Sequence, residues 1–391
     1  MLQQARASVS SRPARLDQLD AVRGLAALAV VIGHALITFP TIRDRRFTTA
    51  PLRLFAIVDR SPIGALWATH EAVLLFFTLS GFVLTLSLAR SSAYRAYLVR
   101  RVCRIQLPYL AAVVAGIIGW QLVGHAAVDG LVVWPGQGLW EGTLDPGLVV
   151  QHVLLVPSFD SARIVPVFWT LVIEMRVSMV FPAIVWMLRR CSWVLGIASA
   201  AALSAAAFAI DRRTGVATNY LGTLVYVFPF VVGALVALHL DDVRARLVTT
   251  STPVKAAFVL GAVLMYKPAY LQPIGVLQWG PVNDWLTALA TAVLLVAAVE
   301  SMRFATVLRL RPLRWLGAVS YSLYLLHSIV FLIAVGVLGG QLPNVVVIGL
   351  AVVLSLPVAA LGHRYLETPA RSLGRRLAAA GQVHEGRRTK H

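Results

Sequence analysis

Arg23 and His34 stand eleven positions apart in the apolar run "LDAVRGLAALAVVIGH" (19–34). On a helix turning about 100° per residue, eleven steps make three turns plus roughly 20°, so the two side chains share one stripe about 16 Å long. Small and medium residues, Ala27, Val30 and Val31, lie along it. Half of a ~30 Å hydrocarbon core is a similar length. A guanidinium at one membrane surface and an imidazole near the midplane beneath it make opposite ends of a track for a thin ligand with an anionic head. A plainer reading also fits: the arginine snorkels, and the histidine bonds to a neighbouring helix.

Further polar residues interrupt apolar runs. Glu174 lies in "FWTLVIEMRVSMVFP" (168–182), with nearby Arg176 or another arginine as its partner if its role is assembly alone. In "SYSLYLLH" (320–327), Ser320, Tyr324 and His327 are spaced four and three apart and so share a helix face, which suits a cavity wall. Tyr321 fits an interfacial aromatic belt. By the count of spans, His34, Glu174 and His327 fall near one depth, where an acid can orient an imidazole base. "YRAYLVRRVCRIQLPY" (94–109) groups Arg100, Arg101 and Arg104 within about a turn, a layout for phosphate oxygens or for anionic lipid. Asp20 is either the N-cap of the first helix or a partner for Arg23. Ser80-Gly81 reads as a packing device. Glu367 and Pro369 in "HRYLETPARSL" (363–373) read as a helix stop with a salt bridge to the arginine cluster.

The elements that must position these residues are membrane helices. Of 391 residues, 58% are hydrophobic and 13% charged, half the charge of a soluble domain. Ten spans are expected, at 22–40, 71–89, 107–124, 166–188, 193–210, 219–238, 255–271, 284–300, 318–338 and 344–362, the seventh weakened by Lys267 and Pro268. The stretch 146–157 is too short to span and reads as interfacial or re-entrant. The fold class is therefore all-α, a polytopic membrane helical bundle of about ten transmembrane helices. With the N-terminus inside, 25 of the 35 basic residues fall in cytoplasmic segments and nine outside, with Arg176 in a span. This puts both termini in the cytoplasm. Five arginines in the outer loop 41–70 break the pattern, so that loop is expected to have structure of its own.

A formal charge of +18 follows from this topology and does not call for nucleic acid. Cys103 and Cys191 form neither a disulfide framework nor a metal-type spacing, and the N-terminus lacks a cleavable-signal pattern. Expected organisation is a cytoplasmic tail at 1–15, a transmembrane domain at 16–372 and a basic, disordered cytoplasmic tail at 373–391. No GxSxG elbow, Walker loop, HEXXH, HxxxxD or dinucleotide fingerprint occurs.

In order along residues 16–370, "LDAVRGLAALAVVIGH", "FFTLSGFVL", "RRVCRIQLPY", the Glu174 segment, "SYSLYLLH" and "RYLETP" resemble the integral-membrane acyltransferase-3 family. Ala72 departs from the glycine often found ahead of "FF". The resemblance implies a stand-alone bacterial O-acyltransferase of the inner membrane, without a fused SGNH domain. It would move an acyl group, acetyl above all, from cytoplasmic acyl-CoA to a carbohydrate hydroxyl of a surface polysaccharide, a glycolipid or a macrolide sugar, with no metal. His34, Glu174, Tyr324 and His327 are then the catalytic candidates. His34 would act as base with Glu174 orienting it, and Tyr324 or His327 would stabilise an oxyanion. Arg23, Arg100, Arg101 and Arg104 would hold the CoA phosphates. The rival from another class is a transporter or flippase of a glycan precursor, for which midplane charges are also usual; the sequence has no inverted repeat to support it.

Overall fold

The computed structural model describes residues 13–89, 93–124, 128–132, 139–155, 161–214, 219–268 and 280–388. Twelve helices carry the architecture: α1 (Pro13–Ile37), α2 (Thr69–Leu88), α3 (Tyr94–Val123), α4 (Trp169–Leu188), α5 (Trp193–Thr214), α6 (Asn219–Val225), α7 (Val227–Leu238), α8 (Thr252–Tyr266), α9 (Gly280–Glu300), α10 (Arg311–Leu338), α11 (Asn344–Gly362) and α12 (Thr368–Arg388). Among the described residues nine stretches are long and apolar enough to cross a membrane, so the chain is a multi-pass membrane protein. Its polar backbone is satisfied within the helices, as lipid requires.

Glycine sets the tightest contacts. A methyl added at Gly24 of α1 would fall 2.6 Å from the Gly317 nitrogen of α10, and one at Gly317 would fall 2.5 Å from the Asp20 carbonyl oxygen. The backbones of α1 and α10 therefore touch, as small residues allow in membranes. Their contacts climb together, Asp20 with Gly317 and Arg23 with Ser320, so the two helices run parallel. Gly81 does the same for α2 against Phe230 of α7, the packing role expected of it. Ala72 is fully buried, so its methyl is accommodated in the packing.

Four expectations change. Span seven shrinks to the 15 residues of α8, about 22 Å at 1.5 Å per residue, too short to cross unaided; residues 269–271 lie outside the described segments. Span six stands at Tyr220–Leu238 but is broken at Tyr226 into α6 and α7. Pro229 has no amide to give the Val225 carbonyl, which accepts from Ser204 instead (2.7 Å). Pro369 does not stop the last membrane helix. A π-helical turn, His363–Glu367, joins α11 to α12, and the extra residue absorbs the proline. The C-terminal segment expected to be disordered is accordingly helical to Arg388 and packs on α3. The outer loop 41–70 is structured, with helices Pro40–Arg43 and Ala50–Asp59 and a 3-10 turn Pro62–Trp67. Stretch 146–157 holds a short helix, Pro146–Leu154. Residues 1–12, most of the N-terminal tail, lie outside the described segments.

Candidate active site

Arg23 extends from α1 toward the start of α10. Its Nε donates to Ser320 Oγ (2.8 Å), and one terminal nitrogen pairs with Asp20 (3.1 Å) and reaches the Gly317 carbonyl (3.4 Å). Asp20 is thus Arg23's partner. It cannot be the N-cap, because α1 begins seven residues earlier at Pro13.

From α3, Arg101 reaches across to α4. It donates to Glu174 (2.7 Å) and makes two bonds to Ser178 Oγ (3.2 and 2.9 Å). Ser80 completes the carboxylate's shell from α2 at 3.1 Å. Glu174 therefore orients no imidazole: a carboxylate inside a membrane protein takes a full countercharge where one is in reach. Nor does it pair with Arg176, which is two residues on and faces away. Arg176 bonds Thr223 (3.2 Å) and lies over the Tyr220 ring, 4.4 Å from its centre.

One turn along α4 from Glu174, Thr170 shares a hydrogen bond of 2.8 Å with the Tyr324 hydroxyl. One turn further along α10, His327 Nε2 meets His34 Nδ1 at 2.9 Å, with the rings nearly parallel at 11°. The order along the axis is Glu174, then Tyr324, then the histidine pair, so the acid lies more than a turn from the depth it was expected to share. α1 ends three residues after His34, whereas α10 continues for eleven after His327, roughly 16 Å. The pair is therefore deep along α10 although it stands at the end of α1.

Hydrogen bonding fixes the tautomers. His327 Nδ1 faces two carbonyls, Leu323 (3.1 Å) and Tyr324 (2.8 Å), so it carries the proton. Its Nε2 must then accept from His34 Nδ1–H, and the lone pair of His34 resides on Nε2. His327 is fully buried, while His34 keeps part of its surface accessible.

A cavity of about 210 Å³ is lined by Arg23, Ser80, Arg104, Glu174, Tyr321 and Tyr324 among others, and by neither histidine. At its arginine end it abuts a second basin that shares Arg101, Arg104 and Arg371 with it and adds Arg100 and Arg375. Arg104 makes no hydrogen bond or ion pair among the described residues while facing both spaces. The structure thus gathers Arg23, Arg101, Arg104, Glu174 and Tyr324 around one cavity, with Arg100 in the adjoining basin and His34 and His327 past its inner end.

Sequence reasoning took Ser80 for packing alone and missed Thr170, Arg371 and His152. Ser80 and Thr170 are polar residues on the cavity side of apolar helices, a signal that one sequence carries only weakly. His152, on the short helix before α4, bonds the Tyr109 hydroxyl at 2.5 Å; burial pushes its imidazole down to about 4, so it is neutral across the physiological range. Gln106 ties the same short helix to α3 through the Val153 carbonyl. Glu367, read as a helix stop, is a buried anchor instead, bonding Ser322 (3.3 Å), His363 (3.1 Å) and Arg371 (3.4 Å).

Comparison with known proteins gives a consistent result. Residues 16–364 match the family described as an acyltransferase domain. Among curated proteins the chain is 27% identical over 399 residues to acyltransferase MdmB of Streptomyces mycarofaciens, covering 94% of this chain and 95% of that one. No solved structure matches.

Proposed function

From the premise that this chain belongs to the acyltransferase family it matches over residues 16–364, and is an acyl-transferring enzyme of the membrane, we propose that its donor is a cytoplasmic acyl-CoA and its acceptor a carbohydrate hydroxyl. The observation that carries this reading is the cavity itself. Its mouth is rich in arginine, its inner end is Tyr324, and paired imidazoles lie one turn beyond. A polyanionic head at the mouth would leave a thin thioester arm pointing inward.

In the proposed step the acceptor oxygen attacks the thioester carbonyl carbon while its proton passes to His34 Nε2. The C–S bond then breaks, and the imidazolium returns the proton to the departing thiolate, giving ester and CoA thiol. His327 holds the His34 tautomer, as a carboxylate does in other sites. Its only N–H is committed to backbone carbonyls; the Tyr324 hydroxyl, which lines the cavity, would turn from Thr170 and the Val167 carbonyl to donate to the oxygen on which charge develops. Glu174 keeps Arg101 fixed at the cavity wall. Arg23, Arg100 and Arg104 attract the phosphates.

His34 does not line this cavity, yet part of its surface is accessible. That supports an acceptor arriving from the face opposite the donor. We place both termini in the cytoplasm and the protein in a bacterial inner membrane, on the basic-residue bias; acetyl is the proposed acyl group and a surface glycan or glycolipid the proposed acceptor. The test is to supply acetyl-CoA radiolabelled in the acetyl group to membranes containing the protein. Label moving onto a glycan or small glycoside is expected. Label that stays on CoA with every glycan offered overturns the acceptor class.

A further inference from the structure

α12 begins at Thr368, beyond residue 364 where the match ends, yet it lies hard against α3. A methyl at Gly374 would fall 2.9 Å from Cys103 Cβ and 3.4 Å from Arg100 Cα. Arg371 and Arg375 flank this glycine, four residues apart and so on one face. Arg371 lines both the cavity and the outer basin, and Arg375 lines the basin beside Arg100.

Five arginines, 100, 101, 104, 371 and 375, thus share one basin. Arg101 is matched by Glu174 and Arg371 by Glu367. Arg104 and Arg375 make no ion pair among the described residues. So many like charges around one concavity repel one another. A ligand bearing several phosphate charges reverses the sign of that energy, and arginine forks match phosphate oxygens in pairs.

We propose that Arg371 and Arg375, carried on α12, complete with Arg100 a phosphate-binding basin at the inner mouth, which takes the nucleotide phosphates of the acyl donor. This rests on the acyl-CoA reading above and deepens it. The grip would belong to a segment that lies outside the shared acyltransferase domain. Phosphate chemistry is common to CoA and to anionic lipid headgroups, and the experiment separates the two.

The full-length protein in phosphatidylcholine nanodiscs is titrated with radiolabelled acetyl-CoA, then with unlabelled CoA or S-acetylpantetheine as competitors. Arg375→Ala is expected to weaken acetyl-CoA binding about ten-fold, the scale of one charge-assisted bond. Arg371→Ala/Arg375→Ala weakens it further, Arg375→Lys keeps most of it, and the affinity for S-acetylpantetheine does not change. Arg375 is exposed, so its loss leaves the fold intact. Equal affinities in wild type and Arg375→Ala overturn the proposal, as does an equal loss for both competitors. Retention of phosphatidylglycerol that depends on the two arginines, with CoA binding indifferent to them, assigns the basin to lipid and also overturns it. A wild-type protein that binds no acetyl-CoA overturns the donor reading itself, and this proposal with it, before any substitution is made.

Discussion

The two ends of the Arg23–His34 stripe solve the same problem in opposite ways. At the Arg23 end charge is kept: Asp20, Ser320 and a backbone carbonyl surround the guanidinium, and the neighbouring Arg101 is held by Glu174 and Ser178. At the His34 end charge is avoided, with two imidazoles sharing one proton-donating chain that finishes on backbone carbonyls. Ions inside a low-dielectric bundle need countercharges close by, whereas neutral imidazoles need only matched donors and acceptors. In the proposed function one end would hold an anion and the other would receive a proton.

Removing His34 should break this division most severely. His34→Ala is expected to cut acyl transfer about a thousand-fold, within the usual reach of a general base, while the protein still folds, destabilised by no more than about 1–3 kcal/mol, the cost of an unpaired His327 Nε2. Retained transfer would remove the base assignment. At the charged end the main loss should be of stability. Glu174→Gln leaves Arg101 beside Arg104 without its carboxylate, and breaking such a pair costs about 3–5 kcal/mol. The double variant Glu174→Gln/Arg101→Met should recover most of that in the same unfolding assay. If single and double variants melt alike, the pair is not what holds α3 against α4. The smallest effect is expected outside the basin. Arg314 and Asp17, 3.5 Å apart and both well exposed, form a surface pair, and Arg314→Ala should change stability by no more than about 0.5 kcal/mol.

How much of this is legible in the sequence depends on whether a feature is local to one helix. The shared stripe of Arg23 and His34, the common face of Ser320, Tyr324 and His327, and the close packing at Gly81 follow from helical repeat alone. Partnerships between helices do not. Depth counted from span ends put Glu174 level with His34, but relative helix shifts decide contacts, and a displacement of little more than a turn gave the carboxylate to Arg101 and the imidazole to His327. α1 ends early while α10 runs on, so counting residues from a common surface misjudged both. The C-terminal helix was hidden for another reason. A proline after a glutamate reads as a stop, and only the π-helical turn, invisible to composition, lets the helix continue past it.

His34 lies in the final turn of α1, where the unpaired carbonyls of a helix gather about half a negative elementary charge. If the proposed proton transfer puts a positive charge on that ring, a helix C-terminus close by would stabilise it by on the order of 0.3–1 kcal/mol, and up to about 2 when partly buried. Ending the helix there would thus give the proposed base a counterpole for its transient cation, without a second acid beside it.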